Sequence, residues 1–184
     1  MVVIEDGTGQ GYKSKVNSDN SLSVEASTFD KIHLVNLDKG QAYGMTFTVT
    51  PTGANDCFCY IMNTSTNNLM LNSILLASAS DEVIQMKLRD IGTPVGGSTA
   101  IPVNRNTNSN NTAVGTFQTG VDITGLSGGS IVDQYFVKAI TKSEKYSWAS
   151  KIIIGPNGVF SLYAVTGAIA LRISLSLFYE ELVI

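Results

Sequence analysis

The chain has 184 residues, enough for one domain, and 15% of them are charged against 43% hydrophobic, so its polar surface has to be made largely of Ser, Thr, Asn and Gly. A formal charge of -3 and a pI near 5.0 supply no basic field to hold a phosphate backbone, which argues against nucleic acid as a partner. No run of about 18 apolar residues occurs, and Met1-Val2-Val3-Ile4-Glu5-Asp6 lacks a basic segment ahead of an apolar one, so a soluble chain with no membrane partner and no visible export signal is expected.

Residues 1–28 contain too few large apolar side chains for a core of their own and read as an extended N-terminal arm ordered by contact. The run Asp6-Gly7-Thr8-Gly9-Gln10-Gly11 is rich in glycine, but no helix pattern follows it and Lys13-Ser14 is out of register for a phosphate-binding loop, so a turn is the expected structure. Asn17-Ser18-Asp19-Asn20 offers oxygen atoms without the glycine and distal glutamate of a calcium loop. Residues 29–184 then read as one β-sandwich domain.

The first strand expected there is Lys31–Asn36, which would place His33, the only histidine, in a sheet. Met45–Thr50 alternates apolar residues with three threonines and stops at Pro51-Thr52-Gly53, a turn signal. Cys57–Met62 follows, and strand geometry puts Cys57 and Cys59 on one face, too strained for a disulfide and best read as buried thiols. Leu69–Ala77 and Glu82–Arg89 read as strands, with Leu75–Leu88 divided between the two rather than forming a helix. The block Asn104-Arg105-Asn106-Thr107-Asn108-Ser109-Asn110-Asn111-Thr112 has no period and is expected to be a mobile surface loop.

Beyond it come Gln134–Thr141, Tyr146–Ile154, Val159–Val165 and a last strand in which Ile169, Leu171, Ile173, Leu175 and Leu177 alternate with small or polar residues. Short strands at this spacing imply an all-β fold, an antiparallel β-sandwich of jelly-roll-like form. Trp148 within its strand, and Leu182, Val183 and Ile184 at the chain end, are candidate contacts with another subunit.

Catalytic chemistry finds little support. A nucleophile needs a base in reach, and His33 alone is available. Asp81-Glu82 and Glu180-Glu181 are adjacent pairs, whose members point to opposite faces of a strand. No catalytic residue, metal site or cofactor is expected, and the chain reads as a structural protein rather than an enzyme.

The opening Ile4-Glu5-Asp6-Gly7-Thr8-Gly9-Gln10-Gly11-Tyr12, continued by Val16-Asn17-Ser18-Asp19-Asn20-Ser21-Leu22, resembles the start of structural proteins of tailed bacteriophages, although Ser21 stands where an arginine often sits. Cys59-Tyr60-Ile61-Met62-Asn63-Thr64, Pro102-Val103-Asn104-Arg105-Asn106 and Ile152-Ile153-Ile154-Gly155-Pro156-Asn157-Gly158 are similar to later landmarks of that group. The resemblance implies a virion protein, foremost a capsid decoration or cement protein on the head surface, made in the host cytoplasm during assembly. Its partners would be itself, as a homotrimer, and the major capsid protein or another virion protein. A docking arm would use Asp6, Gly7, Thr8, Gly9, Gly11, Val16 and Leu22. A head fibre, neck or tail attachment component is the alternative, with a carbohydrate-binding module behind it.

Overall fold

The computed structural model describes residues 15–16, 22–23, 31–139 and 144–180, of which 15–16, 22–23, 31 and 144–151 are described by their backbone alone. The chain divides into two units, residues 1–30 and 31–184. In the first, β1 (Lys15–Val16) and β2 (Leu22–Ser23) pair antiparallel, with Val16 opposite Leu22.

The second unit opens with a helix, α1 (Lys31–Asp38). The expected strand at Lys31–Asn36 is therefore corrected, and His33 lies exposed on a helix. Ile32 and Val35, one helical turn apart, pack on Ala42, Met70 and Phe178, which a strand could not offer both at once. The helix ends where Lys39 and Gly40 donate back to the carbonyls of Val35 and Asn36, with Gly40 at φ +57°. A left-handed residue at this position is the usual helix stop, and a side chain there would also collide with Ser109.

The strands that follow are β3 (Ala42–Val49), β4 (Asp56–Asn63), β5 (Asn68–Ser78), β6 (Glu82–Leu88), β7 (Ile91–Val95), β8 (Ser98–Thr99), β9 (Val103–Asn104) and β10 (Gly115–Thr119). They continue as β11 (Thr124–Ser127), β12 (Ser130–Val137), β13 (Glu144–Ile154), β14 (Val159–Ala164) and β15 (Leu171–Glu180). All the strand pairings within the sheets are antiparallel, giving a six-stranded sheet of order β12-β6-β14-β4-β10-β8 and a five-stranded sheet of order β13-β5-β15-β3-β9. From β3 to β6 and from β12 to β15 the chain changes sheet at every step, while residues 89–129 between β6 and β12 hold the shorter strands.

One core fills the space between the sheets. Phe58, Ile61, Ile84, Met86, Phe160 and Leu162 come from the six-stranded sheet, and Tyr43, Leu69, Leu71, Ile74, Ile173, Leu175 and Leu177 from the five-stranded one. The fold is thus an all-β antiparallel sandwich, as the alternation in Met45–Thr50 and Leu171–Leu177 predicts. Ile169 and Ala170 precede β15 rather than open it, because Gly167 and Ala168 take positive φ values of 71° and 55°.

The expected shared face of Cys57 and Cys59 is corrected by an irregularity in β4. Leu162 stands opposite Cys59 and Tyr163 opposite Cys57, so Phe58 is an extra residue without a partner on β14. This bulge turns Phe58 and the adjacent Cys59 both into the inner core, and leaves Cys57 with Tyr60 on the outer face.

Candidate functional site

The bulge in β4 creates a second, outward-facing cluster. Cys57, Tyr60 and Tyr163 are covered there by Ile123 and Leu126 from the segment leading into and through β11, which pairs with β7 as a two-stranded ribbon. Asp90, buried between β6 and β7, accepts hydrogen bonds through one oxygen, Oδ2, from Ser161 Oγ and from Tyr163 OH, the latter at 2.9 Å. Lys87 Nζ lies 3.6 Å from the centre of the Tyr163 ring, a cation set against an aromatic face.

The packing also sets the proton affinity of these groups. Burial pushes the Cys57 thiol up to about 12, despite its contact with the Cys59 carbonyl at 3.5 Å. Burial likewise raises Cys59 and, together with Cys57 and Asp90, Tyr163. Both cysteines are free and buried. A thiolate, the reactive form, is strongly disfavoured at either position near neutrality. The Asp90 cluster accordingly ties the ribbon to the sheet; it does not present a nucleophile.

The adjacent acids Asp81 and Glu82 diverge as alternate strand positions do. Exposed Asp81 accepts from the Ala139 backbone N–H at 2.8 Å and from Lys138 Nζ at 2.9 Å. Buried Glu82 turns the other way and accepts from the N–H groups of Thr166 and Gly167 at 2.8 and 3.0 Å. Among the described residues no group of three or more His, Cys, Asp or Glu is placed to hold a metal. No described helix is long and apolar enough to cross a membrane.

The candidate contact residues are placed as follows. Asp6, Gly7, Thr8, Gly9 and Gly11 lie outside the described residues, as do Leu182, Val183 and Ile184, while Val16 and Leu22 face each other across the small hairpin. Trp148 falls on β13, an edge strand, where the pairing jumps from Ser147 opposite Ser73 to Ile152 opposite Leu71. Residues 148–151 thus form a bulge.

Apolar side chains are also exposed on the other sheet's edge. In β12 Tyr135 and Val137 point into the core while Phe136 between them is 71% exposed, and Ile131 and Val132 are about half exposed on the same strand. Ile91 and Val95 on β7 are also exposed. Period-two reading of Tyr135-Phe136-Val137 carries the signal for Phe136, but periodicity alone does not say which face is inward.

The asparagine-rich segment between β9 and β10 is not the free loop expected. Its side chains bond to the C-terminal end of α1 and the turn after it: Asn106 Nδ2 to Asn36 O at 2.8 Å, Asn111 Nδ2 to Lys39 O at 2.7 Å, and Asn104 Nδ2 to Gly40 O at 2.7 Å. Within the segment Asn106 N donates to Asn104 Oδ1 and Asn108 N to Asn106 Oδ1, a ladder of Asx turns. A helix end leaves carbonyls without partners, and amides that reach them give a polar loop definite positions without burying apolar area.

No family model, curated protein or solved structure matches the chain.

Proposed function

We propose that this protein is a non-enzymatic structural component that assembles with copies of itself and with a larger particle, as a capsid decoration protein on a tailed-phage head. The observation that carries the assembly reading is the edge strand β12: its outer backbone edge has no partner strand among the described residues, and Phe136, Ile131 and Val132 expose apolar surface beside it. A solitary protein normally covers or charges such an edge, whereas an assembly component closes it with a neighbour. The winding supports the reading too. The orders β13-β5-β15-β3 and β12-β6-β14-β4, with the chain alternating between them, favour the jelly-roll-like winding that this reading expects.

In this reading the protein is a closed trimer, and residues 1–24, including the Asp6–Gly11 run, dock on the capsid. Light scattering at micromolar concentration tests the first step: a multiple of the 19.6 kDa chain is expected, reduced by Phe136→Ser, and a clean monomer mass would sink the idea. Quantitative mass spectrometry of purified particles tests the second. Copy numbers comparable to the major capsid protein fit decoration; about a dozen or fewer would assign the chain to a neck, fibre or tail attachment instead.

A further inference from the structure

A closed ring of identical chains is held by heterologous contacts, in which one patch of each copy meets a different patch of the next, whereas a two-fold dimer needs a single self-complementary patch. A trimer closed through the β12 edge therefore needs a counterpart elsewhere on the chain. In β12 the pairing jumps from Ile131 opposite Lys87 to Asp133 opposite Met86, so Val132 is an extra residue. The bulge leaves two adjacent apolar side chains, Ile131 and Val132, half exposed together, where a regular strand would turn one of them inward. It also breaks the outer row of backbone N–H and C=O groups, which suits this part of the edge to side-chain packing and not to the addition of a strand. Asp133, the one charge beside the bulge, is engaged by Tyr135 OH at 2.6 Å and Gln134 N at 2.9 Å.

The opposite edge of the same sheet is unfinished. β8 pairs with β10 only at Thr99–Gln118 and Ser98–Thr119, and the chain leaves after Ala100 N donates to Phe117 O at 2.9 Å. Gly115 and Thr116 thus have no strand partner on that side among the described residues. A recess of about 280 Å³ occupies the gap, between residues 99–102 and the start of β10. Ile101 on its wall is 78% exposed, and Val103 just beyond is 69% exposed. Neither residues 98–104 nor residues 112–119 include a charged side chain, so an apolar neighbour can seat there without stripping an ion of water.

One row of paired residues joins the two edges. Ile131 faces Lys87, Lys87 faces Ser161, Ser161 faces Tyr60, Tyr60 faces Gln118 and Gln118 faces Thr99. The projection and the recess therefore stand at one height along the strands, on edges about 24 Å apart at the usual strand spacing. A rotation about an axis parallel to the strands brings the projection of one copy to the recess of the next with no slide along that axis, which is the condition for a ring to close instead of growing into a filament. Resting on the self-assembly reading above, we propose that the ring is built head to tail: the Ile131–Val132 bulge of each copy packs into the recess beside Ile101 of the next copy of this chain.

The test uses two full-length single variants, Val132→Asp, which charges the projection, and Ile101→Asp, which charges the wall of the recess. Both positions are exposed, so melting temperature and circular dichroism should match wild type, and Val132→Lys and Ile101→Lys replace any variant that melts early. Light scattering at about 100 μM, where contacts with micromolar dissociation constants stay formed, should give an oligomer for wild type and a monomer for each variant alone. Mixed in equal amounts, the two variants should form a dimer of one copy of each. The intact projection of the Ile101→Asp chain meets the intact recess of the Val132→Asp chain, while the other two surfaces stay blocked. A two-fold contact through β12 would leave Ile101→Asp indifferent. An oligomer that survives either single variant, or a mixture that stays monomeric, overturns the head-to-tail contact and leaves self-assembly standing. A wild-type chain that is itself monomeric at this concentration removes the self-assembly reading and the contact with it.

Discussion

Between the sheets, Phe58, Ile61, Phe160 and Leu175 are withdrawn from water among side chains that ask for no hydrogen-bond partner, and their order comes from area removed from solvent. The loop from Asn104 to Thr112 buries almost no apolar surface, and its fixed points are amide bonds to Asn36, Lys39 and Gly40 at the end of α1. The first kind of order is non-directional and tolerates changes of shape that conserve volume. The second depends on a particular donor meeting a particular carbonyl, and on the helix end being there to supply carbonyls without partners. Substitutions should therefore act in different ways in the two regions, over the whole molecule in one and locally in the other.

The largest effect is expected at the core. Phe160 is fully buried and faces both Ile61 across β4 and Leu88 across β6, so Phe160→Ala leaves a cavity that two paired strands cannot close. A loss of about 3–5 kcal/mol is expected from urea unfolding. A loss below about 1.5 kcal/mol would show that the core collapses freely, and would remove the distinction drawn from directional contacts.

Asp90 tests the boundary between the two kinds of order, because it is a directional contact inside a buried setting. Asp90→Ala leaves the hydroxyls of Ser161 and Tyr163 without their acceptor under the β7–β11 ribbon. About 2 kcal/mol of stability should be lost, with most of it restored in Asp90→Asn, which keeps one acceptor oxygen. Equal losses in the two variants would mean that packing, and not hydrogen bonding, holds the ribbon.

What the sequence conveyed follows the same division. Burial leaves a period in the chain, so β3 and β15 lie close to the segments that alternation marks, and the sandwich is legible from them. Directional contacts leave no period. Ile32, Leu34 and Val35 read as a strand because three apolar residues in four positions fit either period, and the deciding feature is the helix stop at Lys39-Gly40. The extra residue Phe58 in β4 is equally invisible in Cys57-Phe58-Cys59, since nothing in those residue types announces a bulge. The asparagine block reads as mobile because it has no period and little apolar area to bury, and its residue types do not announce the helix end that its amides reach. Of the candidate contacts, Phe136 had a readable alternation but no indication of which face was outward, and the recess beside Ile101 depends on segments that meet only in three dimensions.

The loop itself offers a smaller, local test. Asn106 donates to Asn36 O and accepts from Asn108 N, so Asn106→Ala cuts both the tie to the helix and one rung of the turn ladder. Global stability should fall by only about 0.5–1.5 kcal/mol. Amide hydrogen exchange should accelerate at residues 104–111 and at Gly40, while β5 and β15 keep their protection. Uniform acceleration across the sheets would mean that the loop is coupled to the core after all.

The smallest effect separates charge from direction at the surface. Lys138 and Asp81 form an ion pair at 2.9 Å, but their side chains are 77% and 62% exposed, and pairs so open to water contribute little. Asp81 has a second role: it accepts from the Ala139 N–H, beside the parallel bridge between Ser78 and Ala139 that brings the end of β12 alongside β5. Its carboxyl is held below the usual range first by that backbone hydrogen bond and then by Lys138. A depressed folded-state value means that the contact stabilises the protein above the ordinary carboxylate range, and that this contribution is lost as the pH falls through the folded-state value. Lys138→Ala should leave the melting temperature at pH 7 almost unchanged. Asp81→Ala should lower it measurably, Asp81→Asn should recover part of the loss by keeping an oxygen for Ala139, and the gap between wild type and Asp81→Ala should narrow as the buffer is acidified. If Lys138→Ala and Asp81→Ala behave alike, and both respond to salt, the charge is what matters here and the directional argument fails at the surface.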